Sequence, residues 1–202
     1  MSLFMGKIYT IGSSIHTIEN FISILSRYKI NAIADVRSVP YSQHTPQFNK
    51  EILANILKGR SIHYLDFSKE FGARRKEDTA YTNNRVDFKK VIKLPDFIKG
   101  IERIDAGIHK GYKIVLLCTE KNPLDCHRFS LVSKGLVENL DIDIDHILFD
   151  GEILNQFDLE NKMLNDFKFE NDLFLDHKAL LEIAYKMIGN KVAYQELEAS
   201  YE

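Results

Sequence analysis

Chemistry in this chain is concentrated at residues 118–128, CTEKNPLDCHR, where both of its cysteines stand with Glu120, His127 and Arg128. A thiol acts as a nucleophile in its thiolate form, and a helix N-terminus flanked by His and Arg favours that form. Cys126 meets this description, because it opens an amphipathic segment with Phe129, Leu131, Val132, Leu136 and Val137 on its apolar side. Asp125 and Glu120 oppose the shift. Cys118 ends an apolar run and reads equally as a small buried hydrophobe. The candidate catalytic set is therefore Cys126 or Cys118 as nucleophile, His127 as base, and Asp35 or Glu120 as orienting carboxylates.

Other nucleophile and phosphate chemistries do not fit the spacing. A phosphatase-type cysteine loop wraps a phosphate with backbone N–H groups, and Glu120 would repel that phosphate. GxxxxGK[ST] and GxGxxG are both absent, which argues against nucleoside triphosphates and dinucleotides. A rhodanese-like loop would need a glycine and an arginine that are missing after Cys118. Cys118, Cys126, His127 and a distant His16, His44 or His146 supply zinc-ligand types, but no CxxC or HxxxH pair is present. No metal and no cofactor is expected on that basis. Arg37, Arg128, Arg74 and Arg75 instead suggest binding of an anionic group, since the guanidinium fork suits carboxylate and phosphate alike.

These residues need a scaffold that brings distant positions together. Ile114, Val115, Leu116 and Leu117 form a run too short for a helix and apolar enough for a central parallel strand. Residues 7–11 read as a first strand followed by the small-residue turn Gly12-Ser13-Ser14, and Thr17 starts a helix with Ile18, Phe21, Ile22 and Leu25 on one face. A second strand over 31–36 ends at Asp35 and Arg37, closed by Pro40. Asn49 is the expected N-cap of a helix from Lys50, and a third strand covers 62–65. A charged loop over 67–84 and two helical segments split by Pro95 lead back to the central strand. Residues 141–148 alternate apolar and polar as a half-buried edge strand should. Beyond Asn155 the chain reads as helical and acidic, with stretches over 159–169 and 180–197.

Strands alternating with helices give an α/β class, with a mostly parallel sheet covered by helices on both faces in Rossmann-like or flavodoxin-like layers. An α/β domain over 1–150 and a helical C-terminal extension over 151–202 packed on the same domain follow. In such sheets ligands bind beyond the carboxyl ends of the strands, which places Gly12, Ser13, Arg37, Arg128 and the carboxylates on one rim. Gln47, Asn49, Arg74 and Arg75 join them as candidate ligand-binding residues from the loops.

The ordered set TIG at 10–12, DVR..P at 35–40, PQFN at 46–49, G.RR at 72–75, LLC.E..P..CHR at 116–128 and HI at 146–147 resembles the bacterial and archaeal family called domain of unknown function 488. The resemblance runs from about Lys7 to about Leu148 and implies a fold and a site without a reaction. Two departures stand out: Ser13 where relatives often carry histidine after TIG, and Ala73 where they carry a second glycine.

The formal charge of −2 leaves no globally basic surface. A nucleic-acid partner would therefore depend on a local patch, for which Lys69, Arg74, Arg75, Lys76 and Arg85 are the candidates, diluted by Glu70, Glu77 and Asp78. The two cysteines and the absence of a targeting pattern or a membrane-length apolar run suggest a cytoplasmic protein. Three function classes follow: a crevice that binds an anionic small molecule and acts through a cysteine, a nucleic-acid-binding protein, and a non-catalytic interaction module using the acidic helices. Oligomeric state has no signature in the sequence.

Overall fold

The computed structural model describes residues 6–14, 16–169 and 175–196. In chain order it contains β1 (Gly6–Gly12), α1 (Ile18–Arg27), β2 (Ala32–Asp35), α2 (Lys50–Lys58), β3 (His63–Asp66), α3 (Ser68–Phe71), β4 (Tyr81–Thr82) and β5 (Arg85–Val86). Then follow α4 (Phe88–Val91), α5 (Pro95–His109), β6 (Ile114–Cys118), α6 (Lys134–Asn139), β7 (Ile142–Ile147), β8 (Ile153–Asn155), α7 (Gln156–Asp166) and α8 (His177–Val192). The main sheet has the order β3-β2-β6-β1-β7-β8, parallel throughout except for the antiparallel β8. The protein is thus an α/β fold with a mostly parallel sheet.

Strand register explains the site. Gly12 pairs with Cys118 and Asp35 with Leu117, so the ends of β1, β2 and β6 meet on one rim. Side-chain parity then assigns faces. Val115 and Leu117 point to the layer containing Phe21 and Leu25 of α1 and Leu53 and Leu57 of α2. Ile114, Leu116 and Cys118 point to the opposite layer, with Phe97 and Ile104 of α5 and Leu131, Val132 and Leu136. Cys118 consequently faces the segment that carries Cys126 and His127.

That segment departs from a plain α-helix. A 3-10 turn, Pro123–Asp125, is followed by Cys126 in extended backbone (φ −140°, ψ 141°), and a π-helical stretch, Arg128–Ser133, continues into α6. The expectation that Cys126 lies in the first helical turn therefore shifts by one position: Cys126 precedes the helix, and its carbonyl accepts from the N–H groups of Phe129 and Ser130. Pro95 opens α5 at its first turn, where its missing N–H costs nothing.

Four further expectations are corrected. Residues 141–148 do not form the sheet edge, because β8 pairs outside β7, and Asp145 is buried against Lys7 at 2.8 Å. The 67–84 loop is organised: Arg75 is 6% exposed and its Nη1 donates to the carbonyls of Lys69, Glu70 and Gly72, while the Tyr81 hydroxyl donates to the Arg75 carbonyl. Asn49 precedes α2, but its Oδ1 accepts from the N–H of Ser42 and makes no cap hydrogen bond. The helix expected to reach Leu197 stops at Val192, and Leu197 lies outside the described residues. Leu124 and Phe129 pack with Leu159, Met163, Leu180, Ala184, Tyr185 and Ile188, which joins α7 and α8 to the site-bearing segment. No helix among the described residues is long and apolar enough to cross a membrane.

Candidate functional site

A crevice of about 280 Å³ opens at the carboxyl rim, walled by Arg37, Arg74, Cys118, Thr119, Glu120, Cys126 and His127, with Val192 and Tyr194 on its far side. β6 delivers Cys118, the turn after it delivers Glu120, and the Pro123–Asp125 turn places Cys126 and His127 opposite. Cys118 Sγ and Cys126 Sγ each lie 3.0 Å from the same atom, Glu120 Oε2. Both sulfurs are free thiols and almost fully buried from bulk solvent. Glu120 is exposed as a residue, yet its carboxyl turns inward between them.

His127 Nε2 lies 3.0 Å from the Val36 carbonyl, which can only accept, so Nε2 carries a proton and donates. In the neutral ring this leaves the Nδ1 lone pair facing Cys118 Sγ at 3.7 Å. The N–H of Arg128 points at Cys126 Sγ at 3.4 Å.

Burial pushes the Cys118 thiol well above its ordinary range, and its hydrogen bond to Cys126 adds to that. Burial would raise Cys126 too, but the S–H of Cys118, the positive charge of Arg128 and the hydrogen bond from His127 together bring it well below. Burial also raises the Glu120 carboxyl, with the neighbouring Cys126 sulfur next in effect. His127 moves up despite burial, because Cys126 hydrogen-bonds to it and attracts its proton. Of the two thiols, Cys126 is therefore the one whose surroundings favour the anion, and Cys118 the one whose burial favours the neutral form.

Arginines expected to clamp an anion are mostly engaged within the protein. Arg37 Nε and Nη2 bind the two oxygens of Asp35 at 2.8 and 2.5 Å, Nη2 also reaches the Phe48 carbonyl, and the Tyr64 hydroxyl donates to Asp35. Asp35 therefore holds Arg37 and Tyr64 in place and is not among the crevice walls. Arg128 is 0% exposed, its Nη1 on the Glu120 carbonyl at 2.5 Å and its Nη2 on the Lys121 carbonyl. It fixes the loop that carries Glu120. Gly12 lies beneath that loop, where an added Cβ would sit 1.9 Å from the Glu120 carbonyl oxygen. Ser13 is buried, and neither it nor Gln47, Asn49 or Arg75 lines the crevice. Arg74 remains exposed at the mouth, 4.9 Å from the Tyr194 ring.

The sequence did not single out Tyr194, Val192 or Thr119, which line the crevice from the C-terminal segment and the strand end. Val192 and Tyr194 carry no local signal, because only the packing of α8 brings them there. The three donor atoms Cys118 Sγ, Cys126 Sγ and His127 Nδ1 lie within 4.8 Å of one another, a grouping capable of holding a metal ion.

No curated protein and no solved structure matches the chain. The model of the family described as domain of unknown function DUF488 matches residues 17–134, more than half of the sequence and the part that builds β2, β6 and the Cys118–Arg128 site. The chain belongs to the DUF488 family.

Proposed function

We propose that this protein is an enzyme that acts on a small, negatively charged electrophile by covalent thiol catalysis in the carboxyl-rim crevice. The observation that carries this is the convergence of two thiols on one carboxyl oxygen, each at 3.0 Å, on the wall of an open crevice with an oriented imidazole beside them. Cys126 attacks as its proton passes to His127 Nδ1; Cys118 donates to the Glu120 carboxyl and orients it, and Glu120 carries a proton to the leaving group. A volume of about 280 Å³ suits a small molecule better than a polymer. Arg74 at the mouth supplies the charge that would meet an anionic substituent.

The nucleic-acid alternative has less support. Lys69 pairs with Asp96, Arg75 is buried, and Arg85 donates to Gln195, which leaves Arg74 and Lys76 as the exposed members of that basic set without a described ion pair. Three charges at most, Arg74, Lys76 and the half-buried Arg85, give little counterion release and weak binding.

The test is acylation by p-nitrophenyl acetate and by a small anionic thioester, followed by intact-protein and peptide mass spectrometry. The expected result is a stoichiometric acyl adduct on Cys126 that Cys126→Ser abolishes and Cys118→Ser slows. No adduct on either cysteine, or equal modification of the unfolded and folded protein, would reject covalent thiol catalysis.

A further inference from the structure

The structure assigns a second property to the same cluster: Cys118 Sγ, Cys126 Sγ and His127 Nδ1 form a three-ligand site for a thiophilic divalent cation of the zinc class, with the fourth position open to the crevice. The inference deepens the thiol reading, since a metal-held thiolate is one way to keep a cysteine deprotonated and nucleophilic.

Geometry supports it first. Metal–sulfur bonds of about 2.3 Å and metal–nitrogen bonds of about 2.0 Å at a tetrahedral centre separate the ligand atoms by roughly 3.5–3.8 Å. Cys118 Sγ and His127 Nδ1 are 3.7 Å apart, and all three donor atoms lie within 4.8 Å of one another. Small rotations about χ angles suffice to close the set.

The outer contacts are those that a metal site uses. His127 donates Nε2–H to the Val36 carbonyl at 3.0 Å, which fixes the ring and aims the Nδ1 lone pair at the sulfurs. The Arg128 N–H directed at Cys126 Sγ stabilises negative charge on that sulfur. Two sulfurs and one imidazole form a soft donor set, which favours zinc-like ions over magnesium or calcium. Arg37 and Arg128 are engaged by Asp35 and by backbone carbonyls, so neither guanidinium is free to stand against a bound cation.

The two sulfurs and the imidazole also line the crevice, so a fourth ligand can enter from it. Glu120 stands outside the three-atom set while touching both sulfurs at 3.0 Å. This places a carboxyl beside the open position, where it can exchange a proton with a bound water or substrate.

Cobalt(II) is the probe, added to metal-free, fully reduced protein and followed optically. The expected result is an equimolar complex with a sulfur-to-cobalt charge-transfer band and an intense tetrahedral visible band, both bleached by zinc. Cys118→Ser, Cys126→Ser and His127→Gln should each remove or reshape these bands, while Glu120→Gln keeps them. As a check that needs no variant, zinc should protect Cys126 of the wild-type protein from iodoacetamide. Absence of a charge-transfer band in folded wild-type protein, or a band unchanged in Cys126→Ser, would overturn the assignment. Acylation of Cys126 without cobalt binding would remove the metal and leave thiol catalysis; cobalt binding without any acyl adduct would do the reverse.

Discussion

Acid sensitivity of folding should trace to His146. This residue of β7 is 0% exposed, and its Nδ1 meets the Thr10 hydroxyl at 2.9 Å while its Nε2 meets Gln156 Oε1 at 2.8 Å. Gln156 Nε2 donates onward to Glu160 and to the Tyr185 hydroxyl, which fixes its Oε1 as acceptor. His146 therefore donates from Nε2 and accepts at Nδ1, and the neutral ring is fully satisfied. Burial holds its pKa at about 3 against an ordinary 6.5, the hydrogen bond to Gln156 opposing and nearby Arg128 assisting. Because the folded value is depressed, the unfolded chain takes up the proton first. Stability is then complete above the unfolded pKa and falls as pH drops from 6.5 toward 3. At about 1.4 kcal/mol per pH unit, the loss between about pH 7 and about pH 5 is about 2 kcal/mol, and across the whole window about 5 kcal/mol. Urea unfolding at both pH values, comparing wild type with His146→Gln, isolates this residue from every other titrating group. The wild type should lose about 2 kcal/mol more than the variant. An equal loss in both proteins would show that His146 is not the group that couples folding to protons.

Other perturbations test neighbouring links. Asp35→Asn removes the charge that Arg37 faces in a pair no more than 5% exposed, so chemical denaturation should show a loss of about 3–5 kcal/mol. Gly12→Ala drives a Cβ to 1.9 Å from the Glu120 carbonyl oxygen, and a loss of about 1–3 kcal/mol with altered cysteine labelling should follow as that loop shifts. Phe129→Ala removes a 0% exposed ring that stacks on Tyr185 at 5.3 Å; thermal melting should report a loss of about 3–5 kcal/mol, with protease cleavage appearing first in α7 and α8.

The sheet was legible because the strands state their burial in composition: the all-apolar 114–117 run could only be central, and Gly12, Asp35 and Cys118 end three strands of one direction. Cys126, His127 and Glu120 were legible for the same reason, as polar residues placed where a strand yields to a helix. What remained hidden depends on contacts between distant segments. Alternation along 141–148 marked a half-buried strand, but Asp145 owes its burial to Lys7, and the true edge, β8, is three residues long and too short to signal itself. Arg75 and Arg128 looked like ligand clamps, since nothing local announces that a guanidinium will be spent on backbone carbonyls. The residue types of the metal-capable trio were visible, but their convergence was not: the sequence shows neither CxxC nor HxxxH, and only the parity of β6 turns Cys118 toward Cys126 and His127.

Peptide-mapped iodoacetamide labelling of folded, reduced and metal-free protein tests the reactive cluster most directly. Cys126 should be alkylated first and faster than a free thiol at the same neutral pH, with Cys118 following only after unfolding, and His127→Gln should slow Cys126. Preferential labelling of Cys118, or two unreactive cysteines in a folded protein whose crevice admits the reagent, would contradict a nucleophilic centre built on Cys126.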